Sequence, residues 1–337
     1  MRAARNSQGF LRHARIGPRK VIGLTTNCQI DEEIFASLEY LSEIPENGKA
    51  FLQNRLANPN NFEQRFQLFQ SFLRQAKTFY ESSRHLHFRA SPLNLYYSFL
   101  NLAKCLISLS DHNAVNNRVG HGIHHAHSSV PFAEQALHTR AGVFPLLYKS
   151  LIGTELPDNM TLNVVGLLSY CTDISHEYET AGFGSTSIFP VMLRVQSGAS
   201  ASFCTIAIPK FQIIESRPKV FQALQEHFEE VDANKDRVRE HFELYAEQKA
   251  HHRFFETREE FADDGEKIPV SQILGACYGH LKPYYLSCPY KDKFTDFYFC
   301  LPQSEEDNYP FNEVLAIYAA MFYLGSLVRY FPSVVSQ

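Results

Sequence analysis

Tryptophan is absent from the 337 residues, and none of the seven cysteines (Cys28, Cys105, Cys171, Cys204, Cys277, Cys288 and Cys300) falls at CxxC spacing. An odd number without paired spacing suggests neither a zinc ribbon nor a closed disulfide framework, and reduced thiols in a cytosol are the simpler reading. Without tryptophan, 28 phenylalanines and 17 tyrosines are left to fill the core by many ring contacts rather than one large anchor. No GxSxG elbow occurs, which removes the usual serine-hydrolase signature, and Gly182-Phe183-Gly184-Ser185 is a lone glycine pair that reads as a loop rather than a phosphate cradle. Long uncharged runs are missing too. Val314 to Val328 spans fifteen residues between Glu313 and Arg329, short of the roughly 20 a membrane helix requires, so a helix buried in protein is expected. The first twenty residues hold no acid but carry Arg2, Arg5, Arg12, Arg15, Arg19 and Lys20. That stretch fits a frayed basic terminus, a nucleic-acid-binding arm or a transit peptide, and it has no apolar segment of a secretory signal. No internal repeat or low-complexity tract interrupts the chain.

What is present is an ordinary globular composition, 45% hydrophobic with a formal net charge of −4, enough for one large core or two modest ones. That charge argues against wholesale coating of nucleic acid but leaves a local basic face open. The clearest pattern is Phe62, Phe66, Phe69, Leu73, Ala76 and Tyr80, a four-three-four-three-four rhythm that predicts a long amphipathic helix over residues 61–86. Ser91-Pro92 then suits a helix start, with serine as cap and proline at the first helical position. Leu93, Tyr96, Leu100, Ala103 and Ile107 supply its buried stripe to about Leu109. The short connection between the two predicts antiparallel neighbours. Elsewhere Asp31 is expected to cap a helix through Leu41, Pro45 to Gly48 to form a turn, and Val130 to Thr139 and Met160 to His176 to be helical. Val191 to Val195 and Phe203 to Ile208 alternate as two strands joined by a glycine turn. Lys219 to Glu230 and Asp236 to Ala250 read as charged helices, Phe294 to Leu301 as a strand, and Phe311 to Tyr330 as an apolar final helix.

Between the second long helix and Val130 lies the densest group of titratable side chains, Asn117-Arg118-Val119-Gly120-His121-Gly122-Ile123-His124-His125-Ala126-His127. Were it helical, His121, His124 and His125 would share a face and suit a metal. The nearest acids, Asp111 and Glu134, lie outside the cluster, unlike the HExxH arrangement, so neither a metal nor an organic cofactor is expected. Acid/base chemistry on a phosphodiester is the other use of such residues. RNA carries its own nucleophile in the 2′-hydroxyl, so cleavage needs a base, an acid and a cation on the phosphorane. Histidine titrates near neutrality, and arginine offers a planar charged fork for phosphate oxygens. The same side chains would serve equally well to cap helix ends and bind loop carbonyls, and spacing alone leaves both uses open.

Arg89-Ala90-Ser91-Pro92, Tyr96-Tyr97-Ser98, Asn101-Leu102-Ala103-Lys104 and His121-Gly122-Ile123 resemble the signature of YaaC-like proteins, a bacterial family. Leu324-Gly325-Ser326-Leu327-Val328-Arg329-Tyr330 is similar to that family's closing helix, so the resemblance runs from about Glu63 to Pro332. More distantly, the Tyr96 to Lys104 helix resembles the first helix of HEPN domains. Those are helical bundles, many of them metal-independent RNases or toxin and defence components, that carry arginine, four to six intervening residues and then histidine. Arg118 and His124 match that spacing, and His121 is the histidine of the YaaC-like motif.

The resemblance implies an α+β, mainly α protein. A HEPN-like helical bundle over residues 61–178 would follow a basic arm and lead-in over 1–60, with an α+β section of short strands and charged helices at 179–305 and a closing helix at 306–337 packing back on the bundle as one interleaved unit. It implies Arg118, His121 and His124 as catalytic residues, with Tyr97, Asn101, Lys104, Asn117 and His125 binding substrate. The function so implied is metal-independent RNA cleavage in the cytoplasm, in a bacterial defence or toxin-type system and off the membrane. Homodimerisation follows from the resemblance, because HEPN nucleases build a site from two copies of the motif. The alternative is a non-catalytic interaction or regulatory module with a partner protein of a defence or stress system.

Overall fold

The computed structural model describes residues 12–15, 21–24, 30–55, 61–116, 119–125, 130–171, 174–184, 186–197, 202–209, 218–232, 251–258, 285–287, 297–300, 309 and 311–331. In chain order these form β1 (Arg12–Arg15), β2 (Val21–Leu24), α1 (Ile30–Ser42), α2 (Pro45–Arg55), α3 (Phe62–Arg84), α4 (Ser91–Ser108) and α5 (His112–Asn116). Then come β3 (His121–His125), β4 (Ala136–Gly142), α6 (Val143–Ile152), β5 (Thr161–Asn163), α7 (Val164–Leu168), α8 (Ser175–Thr180), β6 (Ile188–Ser197) and β7 (Ser202–Pro209). The series ends with α9 (Pro218–His227), β8 (Phe228–Val231), β9 (His252–Thr257), β10 (Tyr285–Ser287), β11 (Phe297–Cys300) and α10 (Glu313–Tyr330). The protein is α+β and mainly α, with small antiparallel sheets. Among the described residues no helix is long and apolar enough to cross a membrane.

The chain divides into two compact units, each discontinuous in sequence, where the sequence reading expects one. The first comprises Met1–Cys28 and Ser187–Asn312. It holds the β1–β2 hairpin and a six-stranded sheet of order β10-β11-β6-β7-β9-β8. Its centre is the expected β6–β7 hairpin, paired from Met192 opposite Ala207 to Ser197 opposite Ser202. Phe203 to Ile208 is buried without a break, as is Phe254 to Thr257 on β9, which reflects strands covered on both faces. The helix expected over residues 219–230 stops at His227, and Phe228 to Val231 joins the sheet beside β9. The helix expected over residues 236–250 lies outside the described residues.

The second unit, Gln29–Thr186 with Glu313–Gln337, is the helical one. Phe66, Phe69, Leu73 and Ala76 of α3 are buried as the periodicity requires, each phenylalanine contributing on the order of 2 kcal/mol by removal from water. Phe79 stacks on Tyr97 at 5.2 Å, Ser98 Oγ donates to the Ala76 carbonyl at 2.8 Å, and Lys104 lies over Phe72. Those three contacts run in opposite directions along the two helices, so α3 and α4 are antiparallel. Helices α1 and α2 also pack on α3, which places residues 30–55 in this unit rather than in an arm. Pro45 to Gly48 is the first turn of α2 and not a free turn, consistent with the tolerance of proline at a helix start. Ser91 does not cap α4: its hydroxyl donates to the Phe88 carbonyl at 3.2 Å, and Ala90 occupies the cap position. Asp31 likewise sits inside α1 rather than capping it, and its carboxylate accepts from the Tyr80 hydroxyl at 2.5 Å. Helix α10 is apolar on nearly every side, so it is buried, and it lies on α4 with Tyr318 and Phe322 around Tyr96.

The largest departure from expectation is residues 121–163. The histidine segment is a strand, β3, and the helix expected over Val130 to Thr139 is instead a single 3-10 turn at Phe132–Glu134 followed by the strand β4, which begins at Ala136. Leu137 and Thr139 are buried while His138 and Arg140 are not, a period of two that outweighs the helix-start look of Pro131 and Glu134. The helix expected over Met160 to His176 is broken into β5, α7 and α8, with Asn163 capping α7 by accepting from the Gly166 N–H at 2.7 Å. Strand order is β3-β4-β5.

Candidate functional site

Two glycines place the site. At the start of β3 the register shifts so that His121 opposes Gly142 and Ile123 opposes Thr139, leaving an extra residue on β4. Gly122 has φ 82° and Gly142 φ 152°. A Cβ on Gly122 would lie 2.6 Å from the Phe144 nitrogen, and one on Gly142 would lie 2.4 Å from the Gly122 nitrogen, so only glycine fits at either position. The resulting bulge bends the ribbon where His121 and Arg140 leave it, which is how a bulge re-aims side chains.

Around that bend opens a cleft of about 170 Å³. Helix α4 contributes Leu93, Tyr96 and Tyr97; β3 contributes His121, His124 and His125; β4 contributes Arg140. Helix α10 closes the far side with Phe322, Gly325, Ser326, Arg329 and Tyr330. No carboxylate is among the described residues that line it.

His121 is fixed at both ends. Its Nδ1 lies 2.6 Å from the Tyr96 hydroxyl, and its carbonyl accepts from the Tyr318 hydroxyl at 3.2 Å. The two tyrosine oxygens are 3.4 Å apart. Burial pushes the His121 imidazole below its ordinary pKa, and the positive charges of Lys104, Arg140 and Arg329 push it the same way, so it is neutral at pH 7. Burial also raises the Tyr96 and Tyr318 hydroxyls, which keeps both protonated. Lys104 is half-buried, and its ammonium is lowered by burial. Among the described residues Lys104, Arg140 and Arg329 have no carboxylate partner. A half-buried neutral imidazole beside three cations that no described carboxylate offsets has the electrostatics to take up an anion.

The other histidines differ. His125 Nε2 donates to Gln135 Oε1 at 2.7 Å, since the Gln135 amide nitrogen already donates to the Val130 carbonyl. With Tyr323 edge-on at 5.0 Å, His125 is held as a structural side chain at the cleft floor. His124 stands opposite His138 with rings 5.3 Å apart, and its Nδ1 has no hydrogen-bond partner among the described residues. No group of three or more His, Cys, Asp or Glu is placed to share a metal ion among the described residues.

Of the residues singled out from the sequence, Tyr97, His121, His124 and His125 meet in the cleft, and Lys104 acts on it through its charge. Asn101 does not line it: it is buried, with its amide donating to the Tyr97 carbonyl at 2.8 Å. Arg118, Asn117 and His127 lie outside the described residues. Sequence reasoning missed Arg140, Tyr318 and Ser326, and it took Tyr96 for core alone. The signal for Ser326 and Arg329 was their position as polar residues on one side of an otherwise apolar helix; Arg140 on an unrecognised strand gave none.

A family model described as YaaC-like Protein matches residues 40–337. No curated protein and no solved structure matches the chain.

Proposed function

The chain belongs to the YaaC-like family, and for this member we propose metal-independent cleavage of an RNA phosphodiester in the cleft between α4, β3, β4 and α10. The observation that carries the reading is the hydrogen-bonded His121, held neutral by burial among three cations that have no carboxylate partner among the described residues. His121 Nε2 takes the proton of the 2′-hydroxyl, whose oxygen attacks phosphorus to form a 2′,3′-cyclic phosphate. The bond to the 5′-oxygen breaks, and that oxygen receives a proton from His124. Arg140 and Arg329 carry the phosphate charge by planar, permanently ionised contacts. Tyr97 and Tyr330 offer faces on which a base stacks.

The HEPN-like character of the α3–α4 pair, a homodimer, and a cytoplasmic defence or toxin-type setting belong to the same reading. Arg118, by its spacing from His124, adds a further phosphate contact in it. A second reading is favoured by the Tyr96–His121–Tyr318 network, which fixes the ring as a ligand-reading site also would: a non-catalytic module that binds a phosphate-bearing ligand and regulates a partner protein. Incubating purified protein with total RNA in EDTA separates the two. Cleavage that disappears in His121→Ala supports the nuclease. Binding of short RNA without cleavage of any substrate tried would leave the module.

A further inference from the structure

We propose that Tyr96 and Tyr318 are positioning residues that hold His121 with its proton on Nδ1, so that Nε2 presents a lone pair to the cleft. The nuclease reading supplies the catalytic consequence; the tautomer itself is a property of the free protein. Three contacts have to be shared by two hydroxyl protons and one imidazole proton. The His121 carbonyl has no proton to give, so the Tyr318 hydroxyl donates to it at 3.2 Å. Tyr318 then meets Tyr96 only as an acceptor, and the 3.4 Å contact takes the Tyr96 proton. Tyr96 is left to accept, at 2.6 Å, from His121 Nδ1–H. In this order every contact carries one proton, running from His121 Nδ1 through Tyr96 and Tyr318 back to the His121 main chain. The reverse order, with Tyr96 donating to Nδ1, would set two hydroxyl oxygens lone pair against lone pair in a buried site.

An independent argument comes from the charge around the ring. With the proton on Nδ1, the negative end of the imidazole dipole lies at Nε2, facing a cleft lined by Arg140 and Arg329. With the proton on Nε2 an N–H would point at the same two cations. Among the described residues Nε2 has no hydrogen-bond partner, so no described group competes for its lone pair. A base needs its lone pair aimed at the reacting proton, and the wrong tautomer disables an otherwise intact histidine.

The test is a long-range proton–nitrogen spectrum of protein labelled with 15N-histidine at pH 8, without RNA, the His121 signals being those absent from His121→Gln. The expected result is a protonated Nδ1 and an unprotonated Nε2. Tyr318→Phe, which frees the Tyr96 proton to turn to Nδ1, should move the ring toward the Nε2–H form; Tyr96→Phe should do the same by removing the acceptor. A wild-type ring protonated on Nε2, or a signal that Tyr318→Phe leaves unmoved, overturns the assignment. If Tyr96→Phe does not fold, the wild-type and Tyr318→Phe spectra decide alone. Absence of RNA cleavage sinks the nuclease reading, while the spectrum still decides the tautomer. Where cleavage is present, Tyr318→Phe should lower kcat by at least about tenfold with KM unchanged, and an unchanged kcat would show that the relay does not position the base.

Discussion

The outer face of α1–α3 and the cleft beside α4 use the same basic residue types to opposite ends. On the helical face Arg74 bonds Glu43 at 2.6 Å, Arg84 reaches Glu32 at 3.2 Å, Lys49 meets Glu63 at 2.7 Å, and Lys77 bridges Glu39 and Glu81, so each of these cations has an acid. The hydrogen bond from Arg74 holds the Glu43 carboxyl below its usual range, and the one to Glu39 raises Lys77. Arg140 and Arg329 in the cleft, and Lys104 on α4 outside its lining, have no acid among the described residues and act on a histidine instead. Solvent screening leaves exposed pairs little net energy, so the first set mainly fixes how α1 and α2 lie on α3. The second set leaves the local potential positive among the described residues, the condition under which the proposed reading has an anion bind there.

Breaking the contrast at its centre should have the largest effect. His121→Ala is expected to slow RNA cleavage by roughly two to four powers of ten, the range a positioned base supplies, with the circular dichroism of the folded protein retained. A variant as active as the wild type would move the base to another residue. Next in size is the loss of the unpaired charges. Arg140→Ala combined with Arg329→Ala should weaken binding of a short fluorescent RNA about a hundredfold, taking about tenfold for each charged contact, and flatten the salt dependence of what remains. Equal affinity in that double variant would show that the cations serve the fold.

Lys104→Met sharpens the comparison further, by removing a charge that does not line the cleft. Burial, Lys104, Arg140 and Arg329 all depress His121, so the variant should titrate at higher pH than the wild type in an NMR titration. The stability consequence has a defined sign. In the unfolded chain histidine takes its proton near pH 6.5, whereas the folded His121 resists it. Stability therefore falls as pH drops below about 6.5 and levels off once the folded imidazole also protonates. Lys104→Met should narrow that window, and an unaltered titration would place the lysine charge too far away to matter. The smallest effect is expected on the paired face: Lys77→Gln should shift the unfolding midpoint by no more than a few degrees and leave RNA binding unchanged. A large loss of binding there would erase the distinction between the two regions.

Local pattern made α3, α4, α10 and the β6–β7 hairpin legible, because α3 and α4 bury a face whose period is long enough to count, α10 is an apolar run of helical length, and the hairpin's two strands are rich in β-forming residues. Residues 121–163 resisted for a physical reason. Short strands of five, seven and three residues hold too few periods to outweigh Pro131, Glu134 and the run of histidines, and β3 is a strand because β4 and α6 pack beside it. Pro45 to Gly48 misled in the opposite direction, since proline and glycine suit a helix start as well as a turn. At Gly48 a Cβ would strike the Leu41 carbonyl and the Phe66 ring, a closeness that belongs to the α1–α3 packing and not to the local chain.

The sequence by itself determined the family, the mainly helical α+β class, the long helix pair and the fact that a group of histidines follows it. Only the tertiary structure decided which histidine of the cleft the tyrosines hold. His121 is held by Tyr96 from α4, Tyr318 from α10 and the two interlocked glycines of the bulge, and its pKa is lowered first by burial and then by the charges of Lys104, Arg140 and Arg329, which come from three different elements. Hydrogen bonds act over about three ångströms and buried charges over several more. Distances on that scale between residues remote in the chain follow from how α10 docks and how β4 bends, and no spacing along the sequence encodes them.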